Sequence, residues 1–310
     1  MQSSGLTIGT RGSPLALYQA RLVQRLICES SGRPPEEIKI QILKTSGDTI
    51  KGELKDFGGK GLFTRELELA LLDGSIDMAV HSMKDVPTVG NEDLVIPAIL
   101  PRADVRDALI SVKHGSIVKL PKGALIGSAS LRRRAQLAAM RPDLTFCLLR
   151  GNVGTRLKKL EDGVCDATML ACAGLRRLGQ DDRITEAVET EVMLPAPAQG
   201  AIGIEIRKNR DDVQDILKPL NDRAAQLEIT AERAFLRALD GNCRTPIAAL
   251  ARLDGESLSL KGEILAHDGS LRVGREVAGT VRSMNEAYIL GYEMGEAVRA
   301  EVAGRIRFDV

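Results

Sequence analysis

Strand-like and helix-like segments alternate along the first two thirds of the chain, and this alternation is what most constrains the fold. Ile38, Ile40 and Ile42 alternate with polar residues, a period of two that predicts a strand. Ser13 and Pro14 predict a helix start, because serine caps helices and proline suits the first helical position. Further strands are expected at 6–8, 76–80, 124–127, 144–149, 167–170 and 201–206, and further helices at 63–72, 130–140 and 153–160. This order favours parallel sheets, so we expect an α/β fold.

A short echo between two parts of this region predicts two similar lobes. Ile8-Gly9-Thr10 and Ile126-Gly127-Ser128 each end a strand, and a serine-capped helix follows each. A second unit is expected to start near Pro101, and segment 201–206 is expected to return the chain to the first lobe. We therefore expect two similar α/β lobes.

The C-terminal part has a different pattern and predicts a small α+β domain. Helices are expected at 223–239 and 285–302. Two Asp-Gly pairs, at 254–255 and 268–269, lie between alternating runs, which is a strong hairpin signal. The expected domains are residues 1–101 with the return segment 201–219, residues 102–200, and residues 223–310.

Composition excludes several classes of function. The 310 residues carry a net charge of +1, so the overall charge predicts neither a nucleic-acid nor a membrane partner. Five cysteines without C-x-x-C pairs, and three histidines far apart in sequence, argue against a disulfide framework and a metal site. No apolar run is long enough to span a membrane, and no signal peptide is recognised at the N-terminus. We expect a cytoplasmic monomer, with a mature plastid form as the alternative.

Cys243 differs from the other four cysteines because only polar and turn residues flank it. It lies in Gly241-Asn242-Cys243-Arg244-Thr245-Pro246, between a helix and a strand. An exposed cysteine near positive charge is a candidate nucleophile or attachment point, whereas buried cysteines are usually inert. The other four are expected to be buried. A turn cysteine without a function is the alternative.

Arginines cluster at the starts of three predicted helices. Ser130 is followed by Arg132 and Arg133 in the first turn, where the helix dipole disfavours cations. A bound anion would resolve this conflict, because backbone N–H groups and guanidinium groups both bind anions. The same pattern occurs at Arg150 to Arg156 and at Arg11 with Ser13, and Arg177 lies near a helix end. Strand-to-helix turns line the ligand crevice of α/β lobes, which favours anion binding over the alternative of solvated clusters.

Lys60, Lys84 and Asp85 are further candidates for the site. Lys60 lies among glycines but not in a P-loop pattern, so this signal is weak. Lys84 and Asp85 follow the strand at 76–80, which places them at the carboxyl edge of a sheet. Asp85 is a candidate for stabilising a developing cation, and a simple ion pair is the alternative.

These residues lie in a series of motifs that run in order from residue 6 to beyond 250. The motifs are Gly9-Thr10-Arg11-Gly12-Ser13-Pro14-Leu15-Ala16-Leu17, Lys44-Thr45-Ser46-Gly47-Asp48, Gly58-Gly59-Lys60-Gly61-Leu62-Phe63, Val80-His81-Ser82-Met83-Lys84-Asp85-Val86-Pro87, Ser130-Leu131-Arg132-Arg133, Arg150-Gly151-Asn152-Val153 and Gln199-Gly200-Ala201. The series resembles the porphobilinogen deaminase (hydroxymethylbilane synthase) family. Asn242 and Arg244 depart from residues common in the family.

The resemblance implies an enzyme of tetrapyrrole and haem biosynthesis, with an α/β fold of two similar periplasmic-binding-protein-like lobes with a cleft, plus a small α+β C-terminal domain. Members carry a dipyrromethane cofactor, made from their own substrate, which the motif match would attach through a thioether to Cys243. Four porphobilinogen molecules are joined head to tail with loss of ammonia, and hydrolysis releases hydroxymethylbilane. Every pyrrole carries an acetate and a propionate, so the growing chain would bring many carboxylates to the arginines.

The resemblance also implies a role for each matching residue. Asp85 would face the pyrrole nitrogens and stabilise cationic, azafulvene-type intermediates. The cofactor carboxylates would be held by Lys84, Ser128, Ser130, Arg132 and Arg133. The substrate would be held by Arg11, Ser13, Ser82, Arg150, Arg156 and Arg177, with Lys60 and Phe63 in a mobile loop over the cleft. The alternative from another class is a two-lobe anion-binding or effector-sensing module without chemistry.

Overall fold

Two five-stranded sheets with the same pattern of strand directions form the larger part of the computed structural model, which describes residues 5–45, 61, 64–240 and 245–305. The first sheet has the order β2-β1-β3-β10-β4. Its strands are β1 (Leu6–Arg11), β2 (Ile38–Leu43), β3 (Met78–Ser82), β4 (Leu94–Ile99) and β10 (Ile202–Arg207). Strands β1, β2 and β3 are parallel, whereas β10 is antiparallel to both of its neighbours.

The second sheet repeats this arrangement with the order β7-β6-β8-β5-β9. Its strands are β5 (Asp107–Ser111), β6 (Leu125–Gly127), β7 (Thr145–Cys147), β8 (Ala167–Ala171) and β9 (Glu186–Val188). Here β5 is antiparallel to β8 and β9, as β10 is to its neighbours in the first sheet. The prediction of two similar α/β lobes is confirmed. The expectation of parallel sheets holds for three strands of each sheet but is wrong for β10 and β5, because apolar periodicity identifies a strand but not its direction.

The C-terminal sheet is antiparallel and has three strands, β11 (Ile247–Asp254), β12 (Ser257–Leu265) and β13 (Arg272–Thr280). Both Asp-Gly pairs lie in its hairpin turns, and Gly255 and Gly269 have φ angles of 58° and 75°. The small α+β arrangement is therefore confirmed.

Eight α-helices lie in the described part of the chain: α1 (Pro14–Ser31), α2 (Arg65–Leu72), α3 (Leu131–Met140), α4 (Val153–Glu161), α5 (Cys172–Arg177), α6 (Asp211–Leu217), α7 (Arg223–Ala238) and α8 (Met284–Val302). Ser13 caps α1 as predicted, accepting a hydrogen bond from the backbone N–H of Ala16. Among the described helices, none is both long and apolar enough to cross a membrane.

The described residues group into two compact units. The first contains residues 5–45, 61, 64–102 and 201–226, and its core is formed by apolar side chains such as Ile8, Ile27 and Ile204. The second contains residues 103–200, 227–240 and 245–305, so it includes both the second lobe and the C-terminal sheet. Segment 201–206 returns the chain to the first lobe as predicted. The division into three domains at the expected boundaries stays a prediction.

Candidate functional site

The carboxyl ends of β1 and β3 bring five of the candidate residues to one edge of the first sheet. These strands are parallel neighbours, so their carboxyl ends point the same way. Arg11 ends β1 and Ser13 begins the α1 turn, while Ser82 ends β3 and accepts a hydrogen bond of 2.8 Å from Gln19 Nε2. Lys84 and Asp85 follow in a 3-10 turn with exposed side chains. The predicted position of Asp85 at the carboxyl edge of a sheet is confirmed.

The second unit repeats this placement at the carboxyl ends of β6, β7 and β8, which are also parallel neighbours. Ser128 follows β6, is buried, and accepts a hydrogen bond of 3.2 Å from the backbone N–H of Ser130. Ser130 caps α3 as predicted, accepting from the backbone N–H of Arg133. Arg150 follows β7, and Arg177 ends α5, which follows β8.

Arg132 and Arg133 extend from the first turn of α3 into the interior, where both contact one carboxylate. Asp107, the first residue of β5, has no exposed surface. Its Oδ2 lies 2.7 Å from Arg132 Nη1, and its Oδ1 accepts from Arg133 Nη2 at 2.6 Å and from Arg133 Nε at 3.0 Å. The arginine charges at this helix start are therefore compensated from another element, which the sequence analysis did not foresee.

The ionisation of this cluster follows from its burial and its charges. Burial raises the pKa of Asp107, but the two adjacent guanidinium groups outweigh burial and hold that pKa well below its usual range. Burial lowers the pKa of Arg132, Asp107 opposes this change, and the charge of Arg133 lowers the pKa further. Arginine nevertheless stays protonated in proteins, so the cluster is a charged one.

Two guanidinium N–H groups in the second unit are buried without a hydrogen-bond acceptor among the described residues. They are Arg132 Nε and Arg150 Nη1. Arg132 Nη1 donates to Gln136 Oε1 and to the carbonyl oxygen of Leu194, and it lies 2.7 Å from Asp107 Oδ2 in an ion pair. Buried donors without acceptors are costly and call for an explanation such as a ligand. A carboxylate is the acceptor best suited to a guanidinium group.

The turn into α4 holds Arg156 close to the backbone. Asn152 caps this helix, and its Oδ1 accepts from the backbone N–H of Thr155 at 2.9 Å. Arg156 Nε donates to the carbonyl oxygen of Gly151 at 2.8 Å. Gly151 has a φ angle of 123°, and a Cβ there would lie 2.7 Å from Thr155 Cγ2, so this turn requires glycine. Arg177 Nη2 donates to the carbonyl oxygen of Gly200 at 2.7 Å.

Three of the candidate residues, Lys60, Phe63 and Cys243, lie outside the described residues. On either side of these undescribed residues, α7 ends at Ala238 and β11 begins at Ile247. The roles of these three residues stay predictions.

The other cysteines are only partly as expected. Cys165 and Cys172 are buried, and burial raises the pKa of each thiol to about 11. The prediction that Cys28 and Cys147 are buried is wrong, because both are partly exposed. Cys28 lies near the end of α1, and Cys147 ends the three-residue strand β7 at the edge of its sheet.

Asp107, Gln136 and Glu263 are buried polar residues that the sequence analysis missed. One signal was present for Asp107, which directly precedes the apolar run from Ala108 to Ile110. A carboxylate beside a buried strand requires a cationic partner. Nothing in the sequence alone identifies that partner as the arginines at the start of α3.

Comparisons with known proteins place the chain in a family. The family model for the porphobilinogen deaminase dipyrromethane cofactor binding domain matches residues 6–215, and the model for the porphobilinogen deaminase C-terminal domain matches residues 226–300. The porphobilinogen deaminase of Paracoccus denitrificans is 51% identical over 98% of this chain and 95% of that protein. That of Nitrobacter hamburgensis is 50% identical over 87% of each chain.

The chain therefore belongs to the porphobilinogen deaminase family. The predicted class of enzyme, a transferase, and the predicted dipyrromethane cofactor are confirmed. The alternative of a sensing module without chemistry is not favoured. Among solved structures, the periplasmic VFT2 domain of Bordetella pertussis BvgS has a TM-score of 0.43 and 14% identity, over 69% of this chain and 86% of that domain.

The buried donors provide a test of whether this chain fits the cofactor. The family's cofactor carries acetate and propionate groups, and Arg132 Nε and Arg150 Nη1 both need an acceptor of that kind. The residues present therefore fit a carboxylate-rich cofactor.

Proposed function

We propose that this chain joins four porphobilinogen molecules head to tail, with loss of ammonia, on a dipyrromethane cofactor linked to Cys243, and then releases hydroxymethylbilane by hydrolysis. The observation that carries the proposal is the set of guanidinium groups at the carboxyl ends of the strands, two of which hold buried donors without acceptors in the described part of the chain. When bound, the cofactor supplies the pyrrole carbon to which substrate units are added.

Arg132 is the strongest candidate for holding a cofactor carboxylate. Its Nη1 is engaged by protein acceptors, which leaves Nε for a ligand oxygen. Arg133 differs, because each of its three nitrogens already donates to Asp107 or to the carbonyl oxygen of Met169. We therefore propose that Arg133 acts on the cofactor carboxylates mainly through its positive charge and not through a direct hydrogen bond. Ser128, Ser130 and Lys84 are also proposed to bind cofactor carboxylates.

The incoming substrate is assigned to the other cationic turns. Arg11, Ser13 and Ser82 lie at the edge of the first sheet, and Arg150, Arg156 and Arg177 lie in the second unit. The substrate carries two carboxylates, an acetate and a propionate. Arginine side chains, serine hydroxyls and helix N–H groups all donate hydrogen bonds to carboxylates, so these turns are suited to bind it. Lys60 and Phe63 are proposed to contribute from the segment before α2.

Asp85 is proposed as the catalytic residue. Its exposed carboxylate stands at the end of β3, directly beside Lys84 and close in sequence to Ser82. A carboxylate accepts hydrogen bonds from pyrrole N–H groups and stabilises positive charge that develops as the carbon–nitrogen bond of the substrate breaks. We propose that Asp85 acts through its negative charge and forms no covalent bond with the substrate.

Intact mass spectrometry of the purified chain tests the proposal. The expected result is a mass excess of two pyrrole units, borne by the peptide that contains Cys243. A second expected result is the release of one hydroxymethylbilane for every four porphobilinogen molecules consumed. A chain that cannot acquire the mass excess on incubation with porphobilinogen, and releases no ammonia, would refute the proposed function.

We also propose that the chain acts as a cytoplasmic monomer without nucleic-acid or membrane partners. Size-exclusion chromatography with light scattering measures the molar mass and therefore tests whether the chain is a monomer. A mass of about 33.4 kDa is expected from the chain length, and a stable dimer would contradict this part of the proposal.

A further inference from the structure

A buried hydrogen-bond bridge connects the C-terminal sheet to Arg132. Glu263 on β12 is 3% exposed, and Gln136 on α3 is 2% exposed. Gln136 Nε2 donates to Glu263 Oε1 at 2.6 Å, and Gln136 Oε1 accepts from Arg132 Nη1 at 2.9 Å. The other oxygen of Glu263, Oε2, accepts from Arg272 Nε at 2.6 Å. One glutamine amide thus joins a carboxylate of the C-terminal sheet to an arginine of the proposed cofactor site.

The C-terminal sheet is packed tightly against α3 at this place. Gly269 lies in the turn between β12 and β13 with a φ angle of 75°. A Cβ at this position would lie 2.5 Å from the backbone nitrogen of Ala139 and 2.7 Å from the carbonyl oxygen of Ala135. Only glycine permits this approach, so the turn is in close backbone contact with α3. The bridge from Glu263 to Gln136 joins the same two elements.

The orientation of the Gln136 amide decides whether it supports or repels Arg132. An amide has an oxygen that accepts and an NH₂ group that donates, and the two ends can exchange places by rotation. Here the NH₂ group has two acceptors, Glu263 Oε1 and the carbonyl oxygen of Leu194 at 3.1 Å. These acceptors direct the amide oxygen to Arg132. In the flipped orientation, an NH₂ group would face the guanidinium group, and its donors would meet donors.

We propose that Glu263 is a positioning residue for the reaction: through the amide of Gln136 it holds Arg132 so that the Nε edge stays available to a cofactor carboxylate. The proposal rests on the proposed role of Arg132 in cofactor binding. It differs from the role of Asp107, which contacts both arginines directly. The proposal also gives a residue of the C-terminal sheet a role in cofactor binding that does not depend on Cys243.

The test measures the fraction of purified full-length chain that carries the two-pyrrole adduct, by intact mass. Glu263→Leu removes the acceptor of Gln136 Nε2 and should lower this fraction several-fold. Glu263→Gln keeps an oxygen that accepts from Gln136, so its adduct fraction should be close to that of the wild type. The substitution weakens the ion pair with Arg272, but Arg272 is partly exposed and water can solvate it. Val298→Ala, in the core of the C-terminal domain and away from the bridge, serves as a control for lost stability.

A double variant tests whether the effect passes through Gln136. Gln136→Met removes both hydrogen bonds of the bridge, so adding Glu263→Leu should lower the adduct fraction no further. Additive losses would overturn the proposal. The proposal would also be overturned if Glu263→Leu and Val298→Ala lowered the melting temperature equally and also lowered the adduct fraction equally. A third contrary result is an adduct fraction in Glu263→Gln as low as that in Glu263→Leu.

Arg132→Leu separates this inference from the proposed function. If Arg132→Leu retains full adduct, the proposed role of Arg132 in cofactor binding is wrong. If Arg132→Leu loses the adduct while Glu263→Leu keeps it, the role of Arg132 stands and only the positioning role of Glu263 fails.

Discussion

Arg132 and Asp107 form an ion pair whose two side chains are almost completely withdrawn from solvent, with Nη1 and Oδ2 2.7 Å apart. The pair joins the start of α3 to the start of β5, two elements that the sequence separates by more than twenty residues. Arg133 uses the other oxygen of the same carboxylate, so one aspartate supports two cationic residues. Removing that aspartate would leave two buried guanidinium groups without their counter-charge.

Asp107→Leu is expected to destabilise the protein strongly. Breaking a buried ion pair by removing one partner costs about 3–5 kcal/mol, because the remaining charge is left uncompensated. Urea denaturation measures the change in the free energy of unfolding. Asp162→Asn is the matched control, since it breaks an exposed pair with Lys158 and should cost less than about 1 kcal/mol. Equal losses in the two variants would contradict the importance of the buried pair.

The contribution of Asp107 to stability should depend on pH only in acid. The pKa of this carboxyl is lowered in the folded state, so its stabilisation is fully present above the unfolded-state pKa of about 3.9. As the pH falls below that value, the unfolded chain binds a proton that the folded chain does not. The difference in unfolding free energy between wild type and Asp107→Asn should be constant from pH 7 to about pH 5 and shrink below pH 4. A difference that already changes between pH 7 and pH 6 would show that another group is responsible.

Arg132→Leu and Arg11→Leu should fail at different stages. Arg132 is assigned to the cofactor, so its loss should block formation of the two-pyrrole adduct on the chain. Arg11 is assigned to the substrate, so its loss should leave the adduct in place and stall the addition of further pyrroles. Intact mass before and after a short incubation with porphobilinogen distinguishes the two stages. Full adduct and identical behaviour in both variants would contradict the assignment.

Asp85→Asn is expected to fold normally, because the side chain is exposed, but to lose most of its activity. Removing one preorganised electrostatic stabiliser costs about 10²–10³-fold in rate. Asp85→Glu keeps the charge and should retain more activity than Asp85→Asn. The assay is ammonia release at saturating porphobilinogen, with adduct content checked by mass. Activity of Asp85→Asn within a few-fold of wild type, with intact adduct, would make Asp85 a structural residue.

Cys243→Ser should give a folded chain without the adduct. The partial exposure of Cys28 and Cys147 makes peptide mapping essential, since both are more accessible than Cys165 and Cys172. We expect the pyrrole adduct only on the peptide that contains Cys243. An adduct on either partly exposed cysteine in the wild-type chain would contradict the proposed attachment.

The sequence predicted most elements, because their signals are local. The Ser13 and Ser130 caps, the strand at 201–206 and the two Asp-Gly turns depend on neighbouring residues, and each is found where expected. The antiparallel direction of β5 and β10, and the partners of Arg132 and Arg133, depend instead on residues distant in sequence. For the same reason Glu263, more than a hundred residues after Gln136, could not be connected with it from the sequence.

The position of β10 in the first sheet has a consequence for the order in which a growing chain acquires its structure. Within the sheet as described, β4 pairs only with β10, so this strand has no place until residue 207 has been synthesised. All five strands of the second sheet lie between Asp107 and Val188 and emerge from the ribosome earlier. All strands of the second sheet are therefore synthesised while the first sheet, although begun first, still lacks the strand that lies between β3 and β4.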